Sequence, residues 1–278
     1  MKKIETVLQW YNDKFLKKPI VTLIVTIAVL LIGINSAVDA VKAIREMGKG
    51  IYSFFNVNEE KYKKLGMVDT GLNVEYIDQL FGKSSINKSL SEKASLDMYN
   101  HRLYVDEDFF LYLISEKASN TVLYYSVTIR NKDFNPTIPL HIGSLDKNDA
   151  MSDLRLGKMN LDDLKNGKPD FISPDYSSKF VSYTETHYFG NPGLYKHYQF
   201  GYAPAGYTDE TDEKLSQIPG LVEKRHVQLD NNIIENFRKG FKPNSFGVIA
   251  EGVSDELYEY LKDSMIGIDY FDARQFNK

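Results

Sequence analysis

Five histidines, His101, His141, His187, His197 and His226, are the first candidates for proton or metal chemistry. Imidazole titrates near neutrality and is a common metal ligand. No HExxH or HxxxH pattern links any two of them. His187 and His197 do flank a specific local signal, Y-F-G-N-P-G-L-Y from Tyr188 to Tyr195. Pro192 and Gly193 suit the centre of a type II turn, because proline presets φ and glycine supplies φ > 0. The two histidines then sit on opposite arms of a hairpin, close to registry. Strand alternation puts Glu185 on the face of His187. Two imidazoles and a carboxylate are a metal donor set, so Glu185, His187 and His197 are the candidate metal ligands. The plainer alternative is a pair of hydrogen-bonded structural histidines on a tyrosine-rich sheet, and no cofactor is expected.

Other groups offer weaker chemistry. Arg130 and Lys132, in R-N-K-D-F-N-P, are candidates for holding an anion. The alternative is a strand end closed by an Arg130–Asp133 surface pair, which contributes little. Asp106, Glu107 and Asp108 suit either an acid/base pair or a hairpin turn with solvated acids. Tyrosine is the more informative residue. Tyr183, Tyr188, Tyr195, Tyr198 and Tyr202, with Phe189, Phe200 and Tyr207 among them, crowd one short stretch. A rigid apolar ring with a polar tip suits a recognition surface, and these five tyrosines are the candidate partner-binding residues. Cross-strand packing in a core would use the same residues. No G-x-S-x-G, phosphate-binding or dinucleotide glycine motif is present. Together these signals favour a binding or scaffold protein over an enzyme.

The chain that must position these groups has 278 residues, 42% of them apolar and 26% charged, enough for a packed core. Its net charge of −4 argues against a nucleic-acid binder. Cysteine is absent, which removes disulfides and thiolate chemistry. The strongest single signal is an uncharged span at residues 19–38, P-I-V-T-L-I-V-T-I-A-V-L-L-I-G-I-N-S-A-V. At about 1.5 Å per residue it matches the roughly 30 Å of a bilayer core. It reads as a transmembrane helix kept as an anchor. The competing reading is a signal peptide cut near Val38-Asp39-Ala40, but the preceding eighteen residues are long for that role. Lys2, Lys3, Lys14, Lys17 and Lys18 precede the span, against Lys42, Arg45 and Lys49 just after it. That asymmetry puts the N-terminus in the cytoplasm and the bulk of the chain outside. Residues 1–18 form an amphipathic tail, with Ile4, Leu8, Tyr11 and Phe15 toward the lipid headgroups. Residues 39–65 continue as a juxtamembrane helix or stalk, where Val41, Ile44, Gly48, Ile51 and Phe55 make an apolar seam.

Beyond the stalk the pattern is α+β. Residues 71–82 read as a short helix capped by Asn73 and closed by Gly82. Strand-like runs follow at 102–105, 109–114 and 121–129, with Asn120 in the last turn. This makes a first lobe, 66–142. A second glycine-bounded segment, 157–167, reads as a helix and again leads into strands, at 179–189 and 195–202. The second lobe, 143–278, is thus a weak tandem echo of the first. It continues with an acidic surface loop at 208–220, a helix over 229–241, a strand over 245–250, a Ser254-capped helix to Lys262 and a final strand over 266–271.

The order of a single anchor, G-x-N-x-x-x-I-D-x-L-F-G from Gly71 to Gly82, S-V-T-I-R-N-K-D-F-N-P from Ser126 to Pro136, and the Tyr188–Tyr195 hairpin resembles a family of bacterial membrane-anchored proteins of unknown function. The resemblance spans most of the chain. The helix-then-meander order of the first lobe also resembles the BamE/SmpA-type modules of the bacterial envelope, whose role is to bind other proteins. Their lipoprotein cysteine is absent here. The resemblance implies an α+β binding or scaffold module held at the cell membrane, with the bilayer and a protein partner or a second copy as its contacts. Neither family supplies catalytic residues. A cytoplasm-facing sensor or effector of stress or phage defence, and a membrane-anchored metal-dependent hydrolase, are the alternatives.

Overall fold

The computed structural model describes residues 58–90, 94–140, 154–164, 169–176, 181–190, 195–207 and 231–276. The chain divides into two units, Met1–Glu60 and Lys61–Lys278. Of the first, only the helical residues 58–60 are described. The predicted tail, transmembrane span 19–38, most of the stalk, the Pro192-Gly193 turn and the 208–220 loop lie outside the described residues. Among those described, no helix is long and apolar enough to cross a membrane.

The second unit is α+β, built on one eight-stranded antiparallel sheet. Its strands are β1 (Ile86–Ser89), β2 (Tyr99–Val105), β3 (Phe109–Glu116), β4 (Val122–Ile129), β5 (Phe171–Tyr176), β6 (Val181–Phe189), β7 (Lys196–Tyr202) and β8 (Ser245–Ile249). They lie in the order β1-β2-β3-β4-β8-β7-β6-β5. Counted inward from its two edges, the sheet runs β1 to β4 from one side and β5 to β8 from the other. Two four-stranded meanders, β1–β4 and β5–β8, are joined by the β4–β8 pair within this one compact unit.

Both faces are covered. On one, α1 (Val74–Phe81), a 3₁₀ turn at Leu161–Asp163 and the end of α2 (Asn231–Gly240) pack against Leu111, Leu113, Tyr125, Val127, Phe200 and Phe246. On the other, α3 (Asp255–Asp263) and α4 (Tyr270–Arg274) pack against Phe110, Ile114, Tyr124 and Ile249. Double coverage explains why β3, F-F-L-Y-L-I-S-E, buries seven consecutive residues instead of alternating. A strand walled on both sides has no solvent face for polar residues.

Local signals place the helices. Asn73 caps α1 by accepting from the Glu75 N–H at 2.8 Å, and Gly82 ends it at φ +82°. Ser254 caps α3 by accepting from the Leu257 N–H. Asn120 adopts φ +54° in the β3–β4 turn, a left-handed conformation that asparagine tolerates. Two expected elements take other forms. Over its described residues, 157–164, the expected 157–167 helix is only the 3₁₀ turn, held by the Asn160 N–H donating to Asp163 at 2.7 Å. The expected strand over 266–271 is a bend followed by α4, because Asp269 accepts from the N–H groups of Phe271 and Asp272 and starts a helix there. Gly267, at φ +84°, lets that bend lie against the sheet. A Cβ there would sit 2.6 Å from Thr128 Oγ1.

Candidate functional site

The β6–β7 hairpin carries most of the chemistry-bearing side chains. Its register pairs His187 with Tyr198 and Tyr188 with His197. Directly paired residues share a face and neighbours along a strand do not. His187 therefore points to the α2 face, and His197 to the α3 face. The expected metal set of Glu185, His187 and His197 is divided by the sheet itself. A one-residue offset in the pairing is enough to separate the imidazoles.

On the α2 face, Tyr183, Glu185 and His187 stand in a row, all buried. The Tyr183 hydroxyl donates to Glu185 Oε1 at 2.6 Å. His187 Nε2 lies 3.0 Å from Glu185 Oε2, and a carboxylate partner makes Nε2 the protonated ring nitrogen. Arg238 of α2 completes the set. Its Nε lies 3.2 Å from Glu185 Oε1, close enough for charge pairing but off-line for a hydrogen bond. Its Nη2 donates to the Leu161 carbonyl at 3.1 Å. Burial, then the Glu185 charge, pushes the Tyr183 phenol well above its ordinary pKa. Phe237 of α2 and Phe241 just beyond its end pack on the Tyr183 ring. The arrangement surrounds a buried carboxylate with one cation and two further donors. Sequence reasoning missed Arg238. The signal was present, since Arg238 falls on the apolar stripe marked by Phe237 and Phe241.

The five candidate tyrosines split the same way. Tyr183, Tyr198 and Tyr202 are core residues, each at most 1% exposed. Tyr188 and Tyr195 are 46% and 37% exposed. With His197 and Tyr258 of α3 they form a strip of rings, Tyr195–Tyr188 at 5.3 Å, Tyr188–His197 at 4.6 Å and His197–Tyr258 at 4.7 Å between centroids. Tyr258 Oη lies 3.4 Å from His197 Nδ1. Burial lowers the His197 pKa from its ordinary value, so the ring is neutral near pH 7. One residue further along this face of β6 and β7, Thr186 pairs with Gln199 and Thr184 with Gly201. A Cβ at Gly201 would meet the Tyr183 carbonyl oxygen at 2.0 Å, so only glycine fits there.

The anion candidates have other duties. Arg130 donates to the carbonyls of Asp106 and Phe276, and its guanidinium lies over the Phe110 ring at 4.5 Å. Asp133 is not its partner; the Asp133 N–H donates to Asn131 Oδ1. Lys132 is exposed. Asp106, Glu107 and Asp108 do converge, with ligand atoms within 4.8 Å of one another. They sit in the β2–β3 turn as expected, with Glu107 in solvent and Asp108 buried, and they share one cation. Lys61 Nζ sits among them at 2.7 Å, 3.0 Å and 2.6 Å. Burial alone would lower the Lys61 pKa, but the three carboxylates outweigh it and hold the ammonium above its ordinary value. The helix containing Lys61 is thereby tied to the β2–β3 hairpin.

No protein-family model and no curated protein matches the chain. A solved structure of a cysteine-rich secretory protein from Staphylococcus aureus is similar over 71% of this chain and 49% of that one, at 9% identity and a TM-score of 0.32. The chain thus spans about half the length of that structure.

Proposed function

We propose that this is a single-pass membrane-anchored, non-catalytic binding or scaffold protein. In this reading the span 19–38 is a retained anchor, the N-terminus is cytoplasmic and the α+β unit is presented outside. The observation that carries the binding role is the ring strip in which exposed Tyr188 and Tyr195 continue into half-buried His197 and Tyr258. Exposed aromatics rimmed by polar groups are a common mark of recognition surfaces. The groups best suited to catalysis, Glu185, His187 and Arg238, are spent on one another inside the core. A metal-dependent hydrolase built on Glu185, His187 and His197 is disfavoured by the opposite faces of the two imidazoles. The inward-matching strand order supports descent from a doubled αβ lobe.

Two measurements test this. The intact chain stays in the pellet after alkaline carbonate extraction, and a C-terminal alkaline phosphatase fusion is active outside the cell. A fusion active only in the cytoplasm would transfer the reading to a cytoplasm-facing effector. A photo-crosslinking residue at position 195 gives adducts in cells that Tyr188→Ala removes. The same probe at exposed Lys132 gives none. Equal labelling at both positions would remove the strip's special role.

A further inference from the structure

The two ends of the ring strip are finished differently. At the α3 end the molecule supplies its own cation. Lys262 Nζ lies 5.7 Å from the centroid of the Tyr258 ring and 4.9 Å from that of Phe171, and it pairs with Glu259 at 2.6 Å. Rings, a carboxylate and a cation are all present there. The ring quadrupoles attract the ammonium and the acid holds it in place.

The hairpin end has the rings and the acid alone. Tyr188 and Tyr195 are its exposed rings. Asp170, exposed just before β5, accepts from the Tyr188 N–H through Oδ2. No lysine or arginine among the described residues pairs with this carboxylate. Lys262 is held by Glu259, and Lys196, on the opposite face, by Asp69. The Asp170 charge reaches along the strip. Burial lowers the His197 pKa and Asp170 opposes that fall; burial raises the Tyr258 pKa, Lys262 opposes the rise and Asp170 adds to it. The neighbouring α3 carries Asp255, Glu256, Glu259 and Asp263 against the one cation Lys262, with exposed Asp255 one turn before Tyr258. The surroundings are therefore negative, and they favour a positively charged visitor.

The free oxygen of Asp170 narrows the choice. A cation bearing N–H groups can donate to Oδ1, whereas a quaternary ammonium has nothing to donate. A guanidinium lays its plane on a ring while its edge meets a carboxylate. Arg130 already does the equivalent elsewhere in the fold, lying over Phe110 while donating to two carbonyls.

We propose that Tyr188, Tyr195 and Asp170 receive an arginine side chain from a basic segment of a partner protein, the rings taking the guanidinium plane and the Asp170 carboxylate its N–H edge. This rests on the binding-module reading above and names the partner's chemistry. An acidic segment would be repelled by Asp170 and α3, and an apolar one would cover Asp170 without a counter-charge.

The test is fluorescence anisotropy of the purified full-length chain in detergent with labelled Gly-Arg-Gly-Arg-Gly, its lysine counterpart and its citrulline counterpart, which keeps the shape without the charge. Salt is held at about 0.15 M, where long-range attraction to an acidic chain is screened. The arginine peptide binds saturably, the lysine peptide more weakly and the citrulline peptide not at all. Tyr188→Ala and Asp170→Asn each weaken arginine binding about tenfold. Asparagine still accepts the Tyr188 N–H, so that variant removes the charge and keeps the loop. Asp133→Asn, an equal loss of charge in the other meander, leaves binding unchanged. No binding of the arginine peptide, equal binding of the citrulline peptide, equal weakening by Asp133→Asn, or displacement by choline as readily as by arginine overturns the proposal. If the residue-195 crosslinker still captures a protein in a Tyr188-dependent way, the binding-module reading stands with a partner of other chemistry. If it captures nothing either, both fall together.

Discussion

Each meander carries an acid, a tyrosine and an arginine on the same side of its second strand, and the two sets differ in how deeply they are sunk. Near β2, Asp78 of α1 accepts from the Tyr104 hydroxyl at 2.7 Å and lies 3.7 Å from Arg102. Near β6, Glu185 accepts from Tyr183 and pairs with Arg238. The Asp78 side chain is 35% exposed and the Glu185 side chain 0%. In the first set the acid comes from the helix and the arginine from the strand; in the second the roles are exchanged. The comparison teaches that similar chemistry at matching places in a sheet has unequal stakes. Water shares the Asp78 charge, whereas Glu185 has only its protein partners.

The largest effect should come from breaking the sunken set. Glu185→Gln leaves the Arg238 cation buried without a counter-charge and should cost about 3–5 kcal/mol in denaturant unfolding. A cost equal to that of Asp78→Asn would erase the distinction between the sets. Lys61→Met comes next. It strips the ammonium from three converging carboxylates and should cost about 1–3 kcal/mol in the same denaturant unfolding. Asp78→Asn should cost about 1 kcal/mol or less, read from the same unfolding curves.

The smallest effect is a pH slope. Burial lowers the pKa of both His101 and His197 from the ordinary value of 6.5, so the folded state favours their neutral forms. Their contribution is complete above pH 6.5 and is lost as pH falls from there through the depressed folded values. His197→Gln should flatten part of the fall in Tm between pH 7 and pH 5. An unchanged slope would mean that another group drives it.

Local chemistry was readable in advance and long-range pairing was not. Asn73, Gly82 and Ser254 announce their caps because a cap involves only the next few residues. The strand character of 109–116 and 122–129 follows from aromatic and β-branched content. The shared face of Glu185 and His187 is a matter of alternation, and it is observed. The placement of His197 failed because parity across a hairpin depends on the register, which a single residue reverses. Tyr183, Tyr198 and Tyr202 could not be told from Tyr188 and Tyr195 without knowing that α2 seals one face. The edge strands β1 and β5 went unnoticed, since I-N-K-S and F-I-S-P-D-Y are short, polar and, in β5, interrupted by Pro174, which a sheet admits at its margin. No local signal could have put β8 beside β4.

The placement of β8 has a temporal consequence for synthesis. The last strand made becomes the middle of the sheet, so β4 leaves the ribosome with one bare hydrogen-bonding margin and keeps it until residues 245–249 emerge. At ordinary elongation speed that wait is on the order of ten seconds. Through it the nascent chain carries an open, apolar edge of the kind that recruits neighbouring polypeptides, and the eventual closure joins residues far apart in sequence, which makes it slow. A chaperone dependence confined to the period before β8 is translated follows from the strand order alone.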